Sequence, residues 1–407
     1  MFSPMQGHAL QCSDERSSRR KAAPFSKRIA AAAVVLAVFC SIEAKAVELF
    51  NGAANASASY TADYIVPLAG GDSYSGNVLH NLLVTADADL EHITGWSGKV
   101  YASVLVNGGG KANNAAGTLQ GVDNIEVARA GTRLFQLWAE TELGSVGTRA
   151  GLYDLNSEFY STESAGLFLA PAFGVGSELS STGPNGPSIF PSTALAVRAR
   201  TAISDDLAFK FAVLDAKAGV LGDHGGVDFS FRQGLLFISQ LDWDGLVRAS
   251  VGAWHYSRKQ HDIADPDSRK PAYGAYVSVE RRLWGSEDSL LSTTAFLRAG
   301  LSDGDTTPFN GGWQTGLLLN HILPGRPNSM LALGAYQGRL NLKQRDNLRA
   351  SGLEVASSET GFELTASDQL TSWLRIQPDL QLIHNPSVDR ARNDTWVTAL
   401  RLAATLD

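Results

Sequence analysis

The feature that most restricts the fold of this chain is the length of the connections between its candidate strands. Segments in which apolar and polar residues alternate with period two recur along the sequence, separated by turn residues. They fall near 57–66, 77–91, 97–107, 132–143, 146–154, 193–203, 206–215, 229–241, 245–257, 272–284, 289–301, 311–322, 328–340, 356–368, 371–384 and 393–404, sixteen in all. The connections alternate in length. The short ones are 92–96, Gly144-Ser145, Ser204-Asp205, Asp242 to Asp244, 285–288, 323–327 and Gln369-Leu370. The long ones are 67–76, 108–131, 155–192, 216–228, 258–271, 302–310, 341–355 and 385–392. The shortest long connection exceeds the longest short one. A soluble sandwich has no physical reason to sort its loops by parity. An all-β transmembrane barrel of sixteen antiparallel strands does, with short periplasmic turns, long external loops and both termini in the periplasm.

Closure follows from the solvent. In hydrocarbon an unpaired backbone group costs several kcal/mol, so a sheet survives there only without edges. Sixteen strands close into a cylinder wide enough for an aqueous lumen, and the alternation assigns the faces. In 371–384, Leu374, Ile376, Pro378, Leu380 and Leu382 face lipid, while Trp373, Arg375, Gln377, Asp379 and Gln381 face the lumen. In 132–143, Phe135, Leu137, Ala139 and Leu143 oppose Gln136, Trp138, Glu140 and Glu142. Leu195, Val197 and Ala199 oppose Arg198 and Arg200. Val247, Ala249, Val251 and Ala253 oppose Arg248, Ser250 and Trp254. Leu291, Thr293, Ala295, Leu297 and Ala299 oppose Ser292, Thr294 and Arg298. Trp96, Trp243, Trp284 and Trp373 lie at or beside short turns, where an aromatic girdle marks the periplasmic interface.

The N-terminus reads as an export signal over 1–46, which leaves 47–407 as the barrel. Arg19, Arg20, Lys21, Lys27 and Arg28 are its basic region, Ile29 to Ile42 its apolar run, and Ala44-Lys45-Ala46 its small-x-small cleavage site. Cys40 raises the question of a lipoprotein signal, but bulky Phe39 stands where a small residue is expected. Cys12 and Cys40 both lie in this segment, so the exported chain has no disulfide and is held by backbone architecture and packing. The formal charge of the 407-residue chain is −7, and loss of 1–46, with 7 Lys/Arg and 3 Asp/Glu, takes it to −11. So acidic a chain, without a basic stripe, is not a nucleic-acid binder. No run of 18 apolar residues follows position 46, which excludes a transmembrane helix and is silent about barrel strands.

One region carries a family likeness. Arg149-Ala-Gly-Leu-Tyr-Asp-Leu-Asn-Ser-Glu-Phe-Tyr160 continues into Ser164-Ala-Gly-Leu-Phe-Leu and Ser180-Ser-Thr-Gly-Pro-Asn-Gly-Pro-Ser-Ile-Phe-Pro191. Gly121-Val-Asp-Asn-Ile-Glu126 leading to Arg133-Leu-Phe-Gln-Leu-Trp138, and Ile376-Gln-Pro-Asp-Leu-Gln381 followed by Asn385-Pro386, agree with it. The pattern resembles the carbohydrate-selective porins of the OprB family across essentially the whole exported chain. The resemblance implies a sixteen-stranded channel in a Gram-negative outer membrane that passes monosaccharides and related small sugars. Its other partners would be outer-membrane lipid and the barrel assembly machinery, with a homo-oligomer left open. One departure from many outer-membrane barrels is the C-terminus, which is Leu406-Asp407 rather than an aromatic residue.

Sugar recognition needs flat aromatic faces for the C–H side of a pyranose and charged or amide groups for its hydroxyls. The inward positions supply a basic set, Arg149, Arg198, Arg200, Arg248, Arg298 and Arg375, and an acidic set, Glu140, Glu142, Asp154 and Asp379. Trp138, Trp254 and Trp373 are the stacking candidates. Counting from the short turns puts Trp138, Arg198, Arg248 and Arg375 in the middle part of their strands, where a constriction lies. The 155–192 connection is the third external loop and the longest. Its Leu167, Phe168, Leu169, Phe173, Ile189 and Phe190 suit a segment folded inward onto the wall, narrowing the pore.

Other chemistries leave little trace. Gly71-Asp72-Ser73-Tyr74 resembles the nucleophile block of a lipase family, with His384 as its imagined base, but Gln381 stands where the partner Asp belongs. The seven histidines beyond position 46 include no pair at metal-ligand spacing on one strand or helix, and no phosphate-binding or dinucleotide fingerprint follows a strand. No catalytic residue, metal or cofactor is expected. The favoured function is a passive sugar-selective porin. Its rivals are a general diffusion porin without a sugar site and an outer-membrane barrel enzyme, which would need a nucleophile and base on adjacent strands.

Overall fold

The computed structural model describes residues 47–49, 53–219, 226–286 and 291–406, so residues 1–46, where an export signal is expected, as well as His224 and Asp407, lie outside the described residues. The sixteen long strands are β1 (Ala54–Ala69), β2 (Asn77–Asp89), β3 (Lys99–Gly109), β4 (Gly131–Leu143), β5 (Val146–Tyr153), β6 (Ala194–Ser204), β7 (Leu207–Asp215) and β8 (Leu235–Asp244). They continue as β9 (Arg248–Tyr256), β10 (Tyr273–Trp284), β11 (Ser292–Ser302), β12 (Phe309–Asn320), β13 (Met330–Leu340), β14 (Ser358–Gln369), β15 (Leu374–His384) and β16 (Thr395–Leu406). Each pairs antiparallel with its neighbours in chain order, and β16 returns to β1 with Ala399 opposite Ile65, which closes the ring. A three-residue strand, Val47–Leu49, adds to β1. Gln260–His261 and Arg269–Lys270 form a separate small hairpin within the β9–β10 connection. Among the described residues no helix is long and apolar enough to cross a membrane.

Alternation places the strands well because each has one face on lipid. Leu137, Val197, Val251, Leu297 and Leu380 are exposed on the outer surface. Trp96, Trp243 and Trp284 are exposed at the short-turn end, with Trp373 half-buried beside them. At the β4–β5 turn Gly144 takes φ 66°, the left-handed conformation that a two-residue hairpin demands. Strand ends fall within about three residues of expectation except in β8, which starts at Leu235 rather than near 229. There Asp228 accepts the Ser230 amide at 2.8 Å and the Gly234 amide bonds back to the Phe231 carbonyl at 3.0 Å, so the chain turns instead of extending.

One face assignment is corrected. In β4 the register passes from Ser103 opposite Gln136 to Val104 opposite Leu134, leaving Phe135 as an extra, bulged residue. A bulge shifts the faces by one residue. Phe135 therefore turns inward with Arg133, away from Leu137, and meets Phe190 of the long loop edge-on, with ring centroids 6.0 Å apart.

The apolar core sits inside the cylinder. The loop between β5 and β6 packs Leu155, Phe159, Tyr160, Val175 and Leu179 against inward Ala196, Leu214, Ile238, Trp254 and Tyr276. The same loop packs Phe168 and Phe173 against Phe296, Ala332 and Tyr336 on the other side. The loop between β3 and β4 lies beside it, joined by the Asn124 side-chain amide donating to the Phe168 carbonyl at 3.1 Å.

Candidate functional site: the lumen and its inward-folded loops

Inward-facing side chains of the wall hold the loops through their backbones. Glu363 of β14 accepts the Leu169 and Ala170 amides at 2.6 and 3.0 Å. Glu280 of β10 accepts the Ser164 amide at 2.8 Å and the Ser164 hydroxyl. Glu359 of β14 accepts the Leu119, Gln120 and Ser387 amides at 2.8, 2.9 and 2.7 Å. Arg298 of β11 provides the opposite polarity. It is 0% exposed, and its guanidinium donates to the carbonyls of Tyr160, Gly174, Ala172 and Phe173 at 3.0, 3.0, 3.2 and 2.6 Å. Glu178, at the loop's short helix Ser177–Ser180, is buried and accepts the Tyr160 hydroxyl at 2.8 Å. Its carboxylate occupies the room left by Gly300, where any Cβ would collide with it.

The expected lining residues divide into three groups. The first is a buried charge network. Arg149 donates to Glu140 at 2.7 Å and approaches Glu158 at 3.2 Å. Arg198, 2% exposed, donates to Glu158 at 2.9 Å, to Glu140 at 3.3 Å and to the Gly147 carbonyl at 3.0 Å. Burial works against charge on Glu158, but Arg149 and Arg198 beside it prevail and hold its carboxyl below the usual range. Trp138 belongs here too. Tyr101 stacks on it with centroids 5.0 Å apart, and the Arg149 guanidinium lies 3.7 Å from its ring centre. At 8% exposed, Trp138 has no free face for a sugar, and Trp254 is equally enclosed against Tyr276. Asp154 begins the loop, accepting the Asn156 amide at 3.0 Å; burial pushes its carboxyl up to about 7.

The second group lies on the β14–β15 wall. Asp379, 4% exposed, accepts the Gln381 side-chain amide at 2.9 Å beneath the loops, and Arg375 donates to Ser367 at 3.2 Å. Trp373 lies in the turn before β15. Arg375 is the second residue of its strand and Arg248 the first, so neither sits mid-strand as expected. Both periodic segments run into their turns, which moved the apparent strand centres toward the periplasmic end. Of the expected basic set, Arg298 and Arg198 hold the loop and the charge network rather than facing the lumen.

The third group is open. Arg248 (exposed, like Arg200) donates to Glu163 at 2.9 Å and Asp244 at 3.2 Å and lies 3.6 Å from Glu280. Around it is a cavity of about 280 Å³ between loop residues 161–163 and the β8–β10 wall, with Ser161, Thr162, Ser250, Ser278 and Asp242 in its lining. Lys210 lies 3.0 Å from Asp242, and the Ser250 hydroxyl donates to the same carboxylate at 2.8 Å. Strand parity alone turns Glu280 and Glu363 inward, whereas Asp242, expected in a turn, is carried inward because β8 runs on to Asp244. Strand period marks neither Glu158 nor Glu163: Glu158 is flagged only by the family-like run 149–160, and Glu163 opens the 3-10 turn Glu163–Ala165. His384 is bonded to Asp394 at 2.9 Å, and Ser73 accepts the Ser75 amide at 3.2 Å.

A family model described as "Carbohydrate-selective porin, OprB family" matches residues 74–406. Among solved structures, the high-pH structure of Pseudomonas putida OprB is similar over 87% of this chain and 94% of that chain, with a TM-score of 0.78 and 17% identity. The low-pH structure of the same protein matches over 89% of this chain and 100% of that chain, with a TM-score of 0.53 and 13% identity. The outer membrane channel DcaP of Acinetobacter baumannii matches over 89% and 99%, with a TM-score of 0.54 and 10% identity. At these identities the likeness is one of fold. No curated protein matches the sequence.

Proposed function

Because this chain belongs to the OprB family of carbohydrate-selective porins and folds as a sixteen-stranded outer-membrane barrel, we propose that its lumen passes small sugars passively and selectively. Family and fold are those of non-enzymatic porins. The observation that carries sugar selectivity is the open cavity around Arg248. Its hydroxyls, carboxylates and single guanidinium suit the hydroxyl groups of a small polyol, and its 280 Å³ is near the lower end for small-molecule sites. A site of exposed, water-competing groups binds weakly, and transport requires release as much as capture. In this reading the 155–192 loop narrows the pore, Arg200 and Arg375 add charge near the periplasmic exit, and residues 1–46 are removed on export.

The enclosure of Trp138 and Trp254 favours the second reading, a general diffusion porin, because no stacking face is left among those two rings. Single-channel conductance in a planar bilayer, titrated with glucose, a disaccharide and an uncharged polyol, separates the two. Saturable block by glucose at lower concentration than by the polyol is expected. Block that scales only with solute size would leave general diffusion as the function.

A further inference from the structure

A second cavity, also of about 280 Å³, lies at the external end of the barrel, where the long connections meet. Its lining is Pro184 of the inward-folded loop, Gln233 ahead of β8, and Arg258, Lys259, Gln260, His261 and Arg269 of the hairpin between β9 and β10. The lining of this cavity differs in sign from the chain as a whole, which carries a formal charge of −7. Three permanent cations converge on one concavity without a carboxylate in its lining. The hairpin's own acids, Asp262, Asp265 and Asp267, are not part of it, and two of them are engaged elsewhere. Asp262 pairs with Lys343 of the helix Leu342–Ala350, and Asp265 accepts the Asp267 amide at 3.2 Å.

The side chains are set for an incoming acceptor. The His261 Nδ1 faces the Pro266 carbonyl at 2.6 Å, so it carries the proton, and Nε2 is left to accept from the Arg269 guanidinium at 3.3 Å. That contact orients Arg269 while using one of its five donors. Arg258 and Lys259 are exposed, and no acid is paired with either among the described residues. Unpaired guanidinium and ammonium groups around a hollow match a compact oxyanion, because bonds from charged donors to charged oxygen are the strong, short ones. The two-stranded pairing of His261 with Arg269 keeps the donors on one small frame.

We propose that this mouth cavity is a binding site for a phosphate monoester, distinct from the polar cavity around Arg248 and independent of the sugar reading. Two sources share that chemistry: a phosphorylated solute approaching the channel, and the phosphate of an outer-leaflet glycolipid. The cations would raise the local concentration of either within about 8–10 Å at physiological salt.

The test measures block of ion current by glucose 6-phosphate and by glucose, in planar bilayers of phospholipid without lipopolysaccharide. In the unaltered channel, glucose 6-phosphate should block at roughly a tenfold lower concentration than glucose, as expected for a charge-assisted contact. The variant R258Q/K259Q/R269Q should lose that difference while block by glucose stays as it was. Raising the salt to 1 M should erode the difference too. Adding lipopolysaccharide to the bilayer then identifies the source: abolished phosphate-dependent block assigns the site to the lipid, and retained block assigns it to the solute. Equal block by the two sugars in phospholipid alone, or a difference that survives in the triple variant, overturns the proposal. Saturable glucose block in the same records would leave the sugar reading intact.

Discussion

Replacing Arg298 by Ala should undock the long loop without opening the barrel. The side chain is fully buried and donates to four loop carbonyls. Two of these, on Tyr160 and Gly174, retain the Asn156 side-chain amide at 3.5 and 3.2 Å. Those of Ala172 and Phe173 have no other partner among the described residues. At about 1–3 kcal/mol for each buried acceptor left unsatisfied, the loss is roughly 2–6 kcal/mol. At 1.4 kcal/mol per tenfold, the undocked fraction rises roughly 30-fold to 10⁴-fold. No strand-ladder bond involves the guanidinium, so this cost falls on the loop. Single-channel recording reads the effect directly: excursions to a higher conductance, with weaker block by glucose. Arg298→Lys should fall between, because one ammonium cannot span carbonyls that a planar guanidinium reaches together. A correctly folded Arg298→Ala channel with the unaltered conductance and noise would show that the loop needs no such clamp and refute the reasoning.

Three further outcomes are expected. The closed backbone ladder should resist detergent until heated, so boiled and unboiled samples should migrate differently on a gel, and identical migration would contradict the closed ring. Arg248→Ala should weaken glucose block by several-fold with little change in open-channel current, whereas lipid-facing Leu380→Ala should leave block unaltered; the reverse pattern would mean that the inside–outside register is wrong. Burial raises Asp154 from 3.8 to about 7, so the docked loop holds this proton more tightly than the free loop does. Docking contributed by Asp154 is therefore full below about pH 4, is lost as the pH rises toward 7 and is level above it. Current noise should increase from pH 5 to pH 8 in the unaltered channel and show less slope in Asp154→Asn, and a slope that persists unchanged would assign the effect to other groups.

The barrel was legible because the membrane imposes a rule at every strand. A residue faces lipid or it does not, so Leu374 to Leu382 reveal their faces by chemistry alone, and sixteen paired strands leave one closed arrangement. The strict sorting of loop lengths does not survive, because strands end earlier or later than their patterns: the periplasmic links 90–98 and 321–329 have nine residues each, and the external loop 303–308 has six. The rule failed at Phe135 for a local reason: one extra residue opposite Ser103 and Val104 shifts the count, and an aromatic side chain suits lipid and a packed interior equally. It also blurred Arg248 and Arg375, since turn residues can continue a period-two pattern after the ladder has ended.

The site was less legible, and Arg298 and Arg248 show why. Both are inward arginines by the same parity on similar strands, and sequence pattern treats them alike. One lies under the 155–192 loop with its guanidinium consumed by four carbonyls; the other stands in open cavity against Glu163, Asp244 and Glu280. What separates them is whether irregular chain covers the wall at that point, and irregular chain has no period from which its path could be read. The apolar residues of the loop announce that it packs somewhere. They do not say against which strands, because the inner wall offers Ala196, Ile238, Phe296 and Tyr336 on both sides of it. An inward charge in such a barrel is therefore ambiguous between clamp and solute contact until the loop is placed. Bonds to loop backbone mark the clamp, and remaining exposure marks the contact. On the proposed sugar reading, the exposed guanidinium of Arg248 in its cavity is then the candidate for solute contact, and Arg298 the residue that shapes the space around it.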